Sequence, residues 1–227
     1  RRLWQIHRAY APLTLWLLHW RACSHVEAPL LAWEMLINRS TRPEFSRSQF
    51  VRAAREFIGK SRRGSDVTLA QHFDIFIHTY AGTSSRRGDV REDSLDSPLT
   101  ELDLLAEVGD RVVPETRRRE TVYSIRRAPR VEIPQAFFAY CVADYWRLRR
   151  PSEDTVSFEM LYDGAGSPGR ILRLQEAELR ERLDGLERNF SEFFGYRESQ
   201  GIQQLRRQRP LDDRDMKKLL TDAYREA

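Results

Sequence analysis

The apolar positions of residues 46–80 recur at helical spacing in two successive segments. In the first segment, an apolar stripe lies opposite several arginines and has four members: Phe50, Ala54, Phe57 and Ile58. In the second segment, the stripe has five members: Leu69, Phe73, Phe76, Ile77 and Tyr80. Gly59 is suited to end the first helix, and Ser65 or Asp66 is suited to cap the second. We therefore predict two amphipathic helices joined by a short turn.

The outward face of the second predicted helix carries Thr68, Gln71 and His72 near its beginning. These side chains can hydrogen-bond base edges, and they lie at the end that a recognition helix presents to a major groove. The preceding turn carries three cations, of which Arg62 and Arg63 are candidate DNA contacts. The pattern predicts a helix-turn-helix that binds DNA, although an ordinary helical hairpin with a solvated face has the same periodicity.

A predicted β-hairpin follows over residues 111–126, with residues 112–113 and 121–125 as its arms. A helix-turn-helix followed by a hairpin with a cationic tip is the order of a winged helix. In such folds, the wing lies along the phosphate backbone. The arginines at the tip and in the Gly- and Ser-rich segment before it are candidate DNA contacts: Arg86, Arg87, Arg117, Arg118 and Arg119. A hairpin with a solvated tip is the simpler alternative.

The rest of the chain predicts helices with a few short strands. Among them are a helix from Asp96 or Ser97 to Gly109, a helix over 156–162, a strand over 171–174 and a hairpin over 190–206. We predict an α+β fold, mainly helical. Its parts are an N-terminal helical part (1–40), a winged-helix-like DNA-binding module (41–128) and a C-terminal α+β module (129–227). A second winged helix is one interpretation of the C-terminal module.

The kind of positive charge is more informative than its amount. The net charge is only +4 over 227 residues, with an isoelectric point near 9.3. Of the 38 basic residues, 35 are arginine, because only Lys60, Lys217 and Lys218 are lysine. The planar arginine fork suits phosphate and guanine. A GC-rich genome would favour arginine codons as well, so the composition is compatible with a DNA partner without requiring one.

The cysteines and the hydropathy of the chain indicate the cellular compartment in which the protein is expected. Cys23 and Cys141 lie in apolar helical surroundings, which predicts buried free thiols in a reducing, cytoplasmic compartment. The apolar run of residues 13–20 is too short to span a bilayer, so we expect no membrane partner. The glycine-rich turn over 163–169 matches neither a P-loop nor GxGxxG, so we expect no organic cofactor.

Several segments carry a resemblance to a known family: PEFSRSQFVRAAREF, TLAQHFDIFIHTY, EDSLDSPLTELDLL and MLYDGAGSPGRILRL. Together they resemble the SspB-like nickase subunits, a prokaryotic family first catalogued as of unknown function. It is found in operons for DNA phosphorothioation and phage defence. The resemblance implies a protein that nicks one strand of double-stranded DNA so that sulfur can enter the backbone. The implied partners are a cysteine desulfurase, an ATPase and an ATP pyrophosphatase.

Candidate catalytic residues lie within the family segment EDSLDSPLTEL. Phosphodiester hydrolysis commonly uses a divalent ion held by carboxylates. Asp93, Asp96 and Glu101 are therefore candidate catalytic residues, with Asp93 and Asp96 as candidate ligands of Mg²⁺ or Mn²⁺. However, Asp96 and Glu101 also suit a helix N-terminus without any metal. Arg170, in the GSPGR segment, is a further candidate DNA contact.

Two other functions remain open on the sequence alone. The first is a non-enzymatic winged-helix regulator that binds DNA through the same elements. The second is an adaptor whose apolar helices dock partner enzymes.

Overall fold

The computed structural model describes residues 12–59, 64–81, 97–113, 117–199 and 202–227. The chain divides into two compact units. The central unit comprises Leu30–Arg126, and the terminal unit joins the residues up to Pro29 with Arg127–Ala227. The predicted domain limits at residues 40 and 128 stay a prediction, because compactness alone does not show which parts fold independently.

The described elements follow the chain in an order that places a sheet in each unit. They are α1 (Pro12–Ser24), α2 (Leu31–Trp33, continuing as π-helical turns over Glu34–Arg39), β1 (Glu44–Ser46), α3 (Arg47–Ile58), α4 (Asp66–Ala81), a 3₁₀ helix (Pro98–Leu102), β2 (Leu105–Val112), β3 (Arg119–Ile125), α5 (Gln135–Arg149), β4 (Thr155–Ser157), α6 (Phe158–Asp163), α7 (Pro168–Ile171), α8 (Glu176–Asn189), β5 (Phe194–Ser199), β6 (Ile202–Arg207) and α9 (Asp213–Glu226). The fold is therefore α+β and mainly helical, as the sequence predicted.

The sheet of the central unit is antiparallel and has the strand order β1-β3-β2. Phe45 of β1 pairs with Tyr123 of β3, and Asp110 of β2 pairs with Thr121. Phe73 of α4 packs against both aromatic rings, with centroid distances of 6.2 Å to Phe45 and 6.1 Å to Tyr123. The core of this unit is thus an aromatic layer between α4 and the sheet.

The sheet of the terminal unit has the corresponding strand order, β4-β6-β5. Each sheet has a short first strand that ends in a serine, and that serine directly precedes a helix: Ser46 before α3 and Ser157 before α6. Ser157 caps α6 by accepting a hydrogen bond from the backbone N–H of Met160. Eleven consecutive residues of α5 are buried, from Ala136 to Trp146, so this helix forms the centre of the terminal unit.

Several predicted elements are confirmed. Both amphipathic helices are present as α3 and α4, and all five residues of the α4 stripe are buried. Both predicted hairpins are present, as β2–β3 and β5–β6, but the first arm of the β2–β3 hairpin is Leu105–Val112 and not the predicted residues 112–113. Cys23 and Cys141 are buried free thiols. These elements were predictable because periodicity and turn residues define them locally.

The predicted helix from Asp96 or Ser97 to Gly109 is wrong in its extent. Only a 3₁₀ turn forms, capped by Ser97, and it ends where Asp103 adopts a left-handed conformation with φ of 44°. Leu105 already begins β2. Gly109 lies in that strand at a register shift, with φ of 148°, so it serves a β-bulge and does not end a helix.

Three other predictions are corrected by tertiary packing. The strand over 171–174 is absent, because Ser167 and Pro168 start helix α7 there and Arg173 takes φ of 55°. The helix over 156–162 begins two residues later than predicted, since Val156 belongs to β4. Phe57 is 47% exposed, and the Arg39 guanidinium lies 4.9 Å from its ring centroid.

Within the described residues, no helix is both long enough and apolar enough to cross a bilayer.

His19 is a fully buried titratable group in the terminal unit. Its Nε2 donates to the carbonyl oxygen of Ile171 at 2.9 Å, since a carbonyl can only accept. Nδ1 is then the accepting nitrogen and lies 3.7 Å from the Cys23 sulfur. Burial lowers the pKa of His19 from its usual 6.5 to about 4, with Arg173 and Arg130 acting in the same direction.

We predict that replacing His19 by Gln makes the protein more resistant to mild acid. The imidazole is neutral in the folded protein down to pH 4 but becomes protonated in the unfolded chain below pH 6.5. The native protein therefore loses up to about 3 kcal/mol of unfolding free energy as the pH falls through this window. The glutamine side chain keeps an N–H donor and has no such titration. Urea unfolding between pH 7 and 4 measures the effect, with exposed His25→Gln as the matched control.

The difference in unfolding free energy between His19→Gln and the native protein should change with pH by clearly more than the corresponding difference for His25→Gln. A difference for His19→Gln that stays constant from pH 7 to 4 would contradict this account.

Candidate nucleic-acid interface

Helix α4 presents a continuous outer face at its N-terminal half. Ser65 caps the helix by accepting a hydrogen bond from the Thr68 backbone N–H at 3.2 Å, which decides between the two predicted caps. Thr68, Gln71 and His72 are all exposed. They share one side of the helix because the opposite side, from Leu69 to Tyr80, is buried. The three predicted base-contacting residues are thus grouped and accessible to solvent.

Two interhelical ion pairs hold α4 against α3. Arg47 binds Asp74 through two parallel hydrogen bonds, of 2.9 Å from Nε and 2.8 Å from Nη2. Arg55 pairs with Asp66 at the start of α4. Both carboxylates of α4 therefore have guanidinium partners on α3. These pairs leave little net charge along the seam between the two helices.

Glu120 links the hairpin to the N-terminus of α3. Its carboxylate accepts hydrogen bonds from the Ser48 backbone N–H at 3.0 Å, from Ser48 Oγ at 2.6 Å and from Ser46 Oγ. Burial acts to raise the pKa of Glu120, but these hydrogen bonds and the charge of Arg111 outweigh it and lower that pKa below 4.5. A carboxylate at a helix N-terminus also complements the helix dipole. The position of β3 is thereby fixed relative to α3.

The three predicted wing arginines lie at the described end of the β2–β3 hairpin. Arg117, Arg118 and Arg119 are all exposed. Arg117 has φ of 53°, and its backbone N–H donates to the Val113 carbonyl at 2.8 Å. Val113 itself is buried. A buried valine therefore lies at the loop end of the hairpin, directly beside the exposed arginines.

Arg170, predicted as a DNA contact, is only 4% exposed. Its guanidinium donates to the Asp163 carbonyl oxygen at 2.9 Å and to Asp163 Oδ2 at 2.8 Å. Arg127 donates to the other carboxylate oxygen, Oδ1, at 2.8 Å. A phosphate would have to displace this ion pair, so the burial of Arg170 counts against a direct DNA contact.

The GSPGR segment around Arg170 is shaped by packing. Ser167 Oγ accepts a hydrogen bond from the Arg170 backbone N–H at 3.3 Å and so starts α7. A Cβ on Gly169 would lie 2.7 Å from the Leu161 carbonyl oxygen, which leaves no room for any other residue. The segment that carries much of the family resemblance is thus required by the fold of the terminal unit.

The candidate catalytic group is described only in part. Glu101 is exposed in the 3₁₀ turn. Six predicted site residues lie outside the described residues: Arg62, Arg63, Arg86, Arg87, Asp93 and Asp96. Among the described residues, no group of three His, Cys, Asp or Glu side chains could hold a metal ion. The proposed ligands Asp93 and Asp96 lie outside the part of the chain to which this finding applies.

Two residues of the α4 outer face were missed by the sequence analysis. Val67 and Ile75 are 68% and 56% exposed, although both are apolar. They flank Thr68, Gln71 and His72 on the same face. Their spacing could have assigned them to the outer face, because positions 67, 71 and 75 recur every four residues and fall outside the buried stripe.

The sequence matches a protein-family model over residues 10–224, nearly the whole chain. That model is described as a protein of unknown function, DUF4007. The chain belongs to the DUF4007 family. A comparison with curated proteins found no match.

Two solved structures share the fold of this DUF4007 chain. A crystal structure of SspB aligns with a TM-score of 0.72 and 21% identity, covering 94% of this chain and 60% of that one. A crystal structure of magnesium-bound SspB also aligns with a TM-score of 0.72, at 19% identity, covering 96% and 69%. The predicted resemblance to SspB-like proteins is confirmed at the level of family and fold. The chain spans only 60% of the first SspB chain, so its fold is shared over part of that protein's length.

Proposed function

We propose that this chain binds double-stranded DNA through a winged helix formed by the central unit. The observation that carries the proposal is the combination of element order and strand order. A strand, two helices and a hairpin follow one another, and the sheet has the order β1-β3-β2. In a winged helix, this arrangement places the second helix, here α4, in the major groove and the hairpin along the backbone.

The chemistry of the two exposed surfaces suits these two roles. Gln71 and His72 on α4 carry donors and acceptors that can reach base edges. Arg117, Arg118 and Arg119 on the hairpin supply fixed positive charge for phosphates. Glu120 joins the hairpin to α3, so the wing and the helix pair would meet a duplex as one rigid surface.

The terminal unit has the same strand order, and we propose a second winged helix there with a different role. The helix that corresponds to α4 is α8, whose outer face exposes three carboxylates, Glu181, Asp184 and Glu187, and only one arginine, Arg188. Three carboxylates would be repelled by the phosphates that flank a groove. The central unit is therefore the one that contacts DNA, and this difference in charge between α4 and α8 supports the assignment.

We further propose that the protein acts in a DNA phosphorothioation and phage-defence system, nicking one strand for sulfur insertion. The resemblance to SspB-like nickase subunits supports this role, as does the fold shared with SspB. Asp93, Asp96 and Glu101 are the candidate catalytic residues, with Asp93 and Asp96 as ligands for Mg²⁺ or Mn²⁺. A bound divalent ion would supply charge stabilisation for phosphodiester hydrolysis. A cysteine desulfurase, an ATPase and an ATP pyrophosphatase are the proposed partner enzymes.

One alternative is a regulator that binds DNA without cutting it. The regulator would use the same winged helix, so the two functions differ only in the chemistry that follows binding.

We predict that duplex affinity falls steeply with salt and that the wing supplies part of this dependence. Each Arg–phosphate contact contributes roughly −0.9 to the slope of log K against log salt concentration. Changing Arg117, Arg118 and Arg119 to Ala should weaken binding to all sequences alike and reduce the slope by about 1 per lost contact. Fluorescence anisotropy on several duplexes at increasing KCl measures both effects.

The matched control for the wing variant is a triple Ala variant of three exposed arginines in the terminal unit, Arg188, Arg197 and Arg206. This control removes the same number of positive charges from residues outside the proposed interface. If the wing contacts the phosphates, the control should leave the slope of log K against log salt concentration nearly unchanged. A flat salt response of the native protein, or an equal loss in both variants, would refute the proposed interface.

We also predict that the chain converts supercoiled plasmid to open circles in Mg²⁺ or Mn²⁺ but not in EDTA. Asp93→Asn and Asp96→Asn should abolish this relaxation while anisotropy shows unchanged DNA affinity, because the wing and α4 are left intact. Gel electrophoresis separates nicked circles from linear product. Supercoils that persist although the protein binds the plasmid would reject nicking and favour the regulator.

A further inference from the structure

Helix α4 has an unusual composition for this chain. It contains no arginine and no lysine between Asp66 and Ala81, although the whole protein has 35 arginines. Its two acidic residues that flank the outer face, Asp66 and Asp74, are paired with Arg55 and Arg47 of α3. The outer face is therefore close to neutral, and its contacts would be made by amide, imidazole and methyl groups.

The outer face consists of five exposed residues over slightly more than two turns of helix: Val67, Thr68, Gln71, His72 and Ile75. Along the helix axis they span about 12 Å, which follows from the rise of about 1.5 Å per residue. Base pairs stack roughly every 3.4 Å, and the face therefore covers roughly three to four base pairs. The face carries only a few kinds of functional group, and these indicate which bases it can distinguish.

Guanine is most often recognised by a bidentate Arg or Lys, and α4 offers neither. Gln can instead donate to N7 and accept from N6 of adenine, which fits Gln71 at the centre of the face, with the amide N–H donating and the amide oxygen accepting. Thymine also presents a methyl group in the major groove, which cytosine lacks and which attracts apolar contacts. Val67 and Ile75 lie on either side of Gln71 and are largely exposed.

Thr68 adds a further methyl group. Its hydroxyl oxygen lies 3.0 Å from Ser65 Oγ, and this hydrogen bond belongs to the cap of the helix. The hydroxyl keeps further hydrogen-bonding capacity, and the methyl group of Thr68 can make an apolar contact. The face thus presents the Gln71 amide and the His72 imidazole together with three side chains that carry methyl groups.

We infer that α4 reads A·T base pairs over a site of about three to four base pairs, with Gln71 binding adenine and the flanking methyl groups contacting thymine. The inference rests on the proposed function, since it requires the central unit to bind DNA. It goes further by assigning the specificity to one amide and its apolar neighbours.

The test selects bound duplexes from a library with a randomised central segment, using the full chain. Native protein should enrich A·T pairs within the site. Gln71→Ala should lower the preference for an A·T over a G·C duplex by about tenfold, the order expected for one bidentate contact. Gln71→Arg should shift the preference at that position to guanine. Gln204→Ala, which removes an exposed glutamine of β6 in the terminal unit, is the matched control and should behave as native.

The outcomes separate this inference from the proposed function. Salt-dependent binding that shows no A·T preference, or that is indifferent to Gln71→Ala and Gln71→Arg, would overturn the assignment to α4 while leaving DNA binding intact. Failure to bind any duplex would reject both the proposed function and the inference. Loss of preference in Gln204→Ala to the same degree as in Gln71→Ala would also overturn the assignment.

Discussion

The structure of the candidate interface depends on the packing of α4 against the sheet of the central unit. Phe73 contacts Phe45 and Tyr123 of the strands, while Phe76 and Tyr80 contact Trp33. The Trp33 indole N–H also donates to the Tyr80 hydroxyl at 2.8 Å. An aromatic stripe this large allows the helix only one rotation about its axis. That rotation places Gln71 and its neighbours on the outside, so apolar packing determines what a groove would meet.

Electrostatic contacts then fix the surrounding elements relative to α4. Arg47 and Arg55 neutralise the carboxylates of α4, and Glu120 attaches the hairpin to α3. Many arginines of the chain have such structural roles, as Arg170 does in the turn with Asp163. The number of arginines is therefore a poor guide to DNA contacts. The useful distinction is between guanidinium groups that are buried in the fold and those that face solvent, as at the end of the hairpin.

How much could be predicted from the sequence follows from the range of the interactions involved. Helices α3 and α4 and both hairpins were predictable, because helical periodicity and turn residues act over a few positions. Three features were not predictable from the sequence: the end of the 3₁₀ turn at Asp103, the exposure of Phe57 and the burial of Arg170. Each of these depends on a partner distant in sequence or on a left-handed residue that no local pattern requires. The polar positions of α4 were identified, but the exposed Val67 and Ile75 were missed, since only hydrogen-bonding groups were considered as base contacts.

The most direct test of the central claim is amide hydrogen exchange of the full chain, with and without a saturating short duplex, followed by mass spectrometry. If α4 and the hairpin form the DNA surface, protection should be concentrated in peptides covering residues 66–75 and 117–119. Peptides from the acidic helix α8 should exchange at the same rate in both samples. Protection confined to α8, with unchanged exchange in α4, would contradict the account.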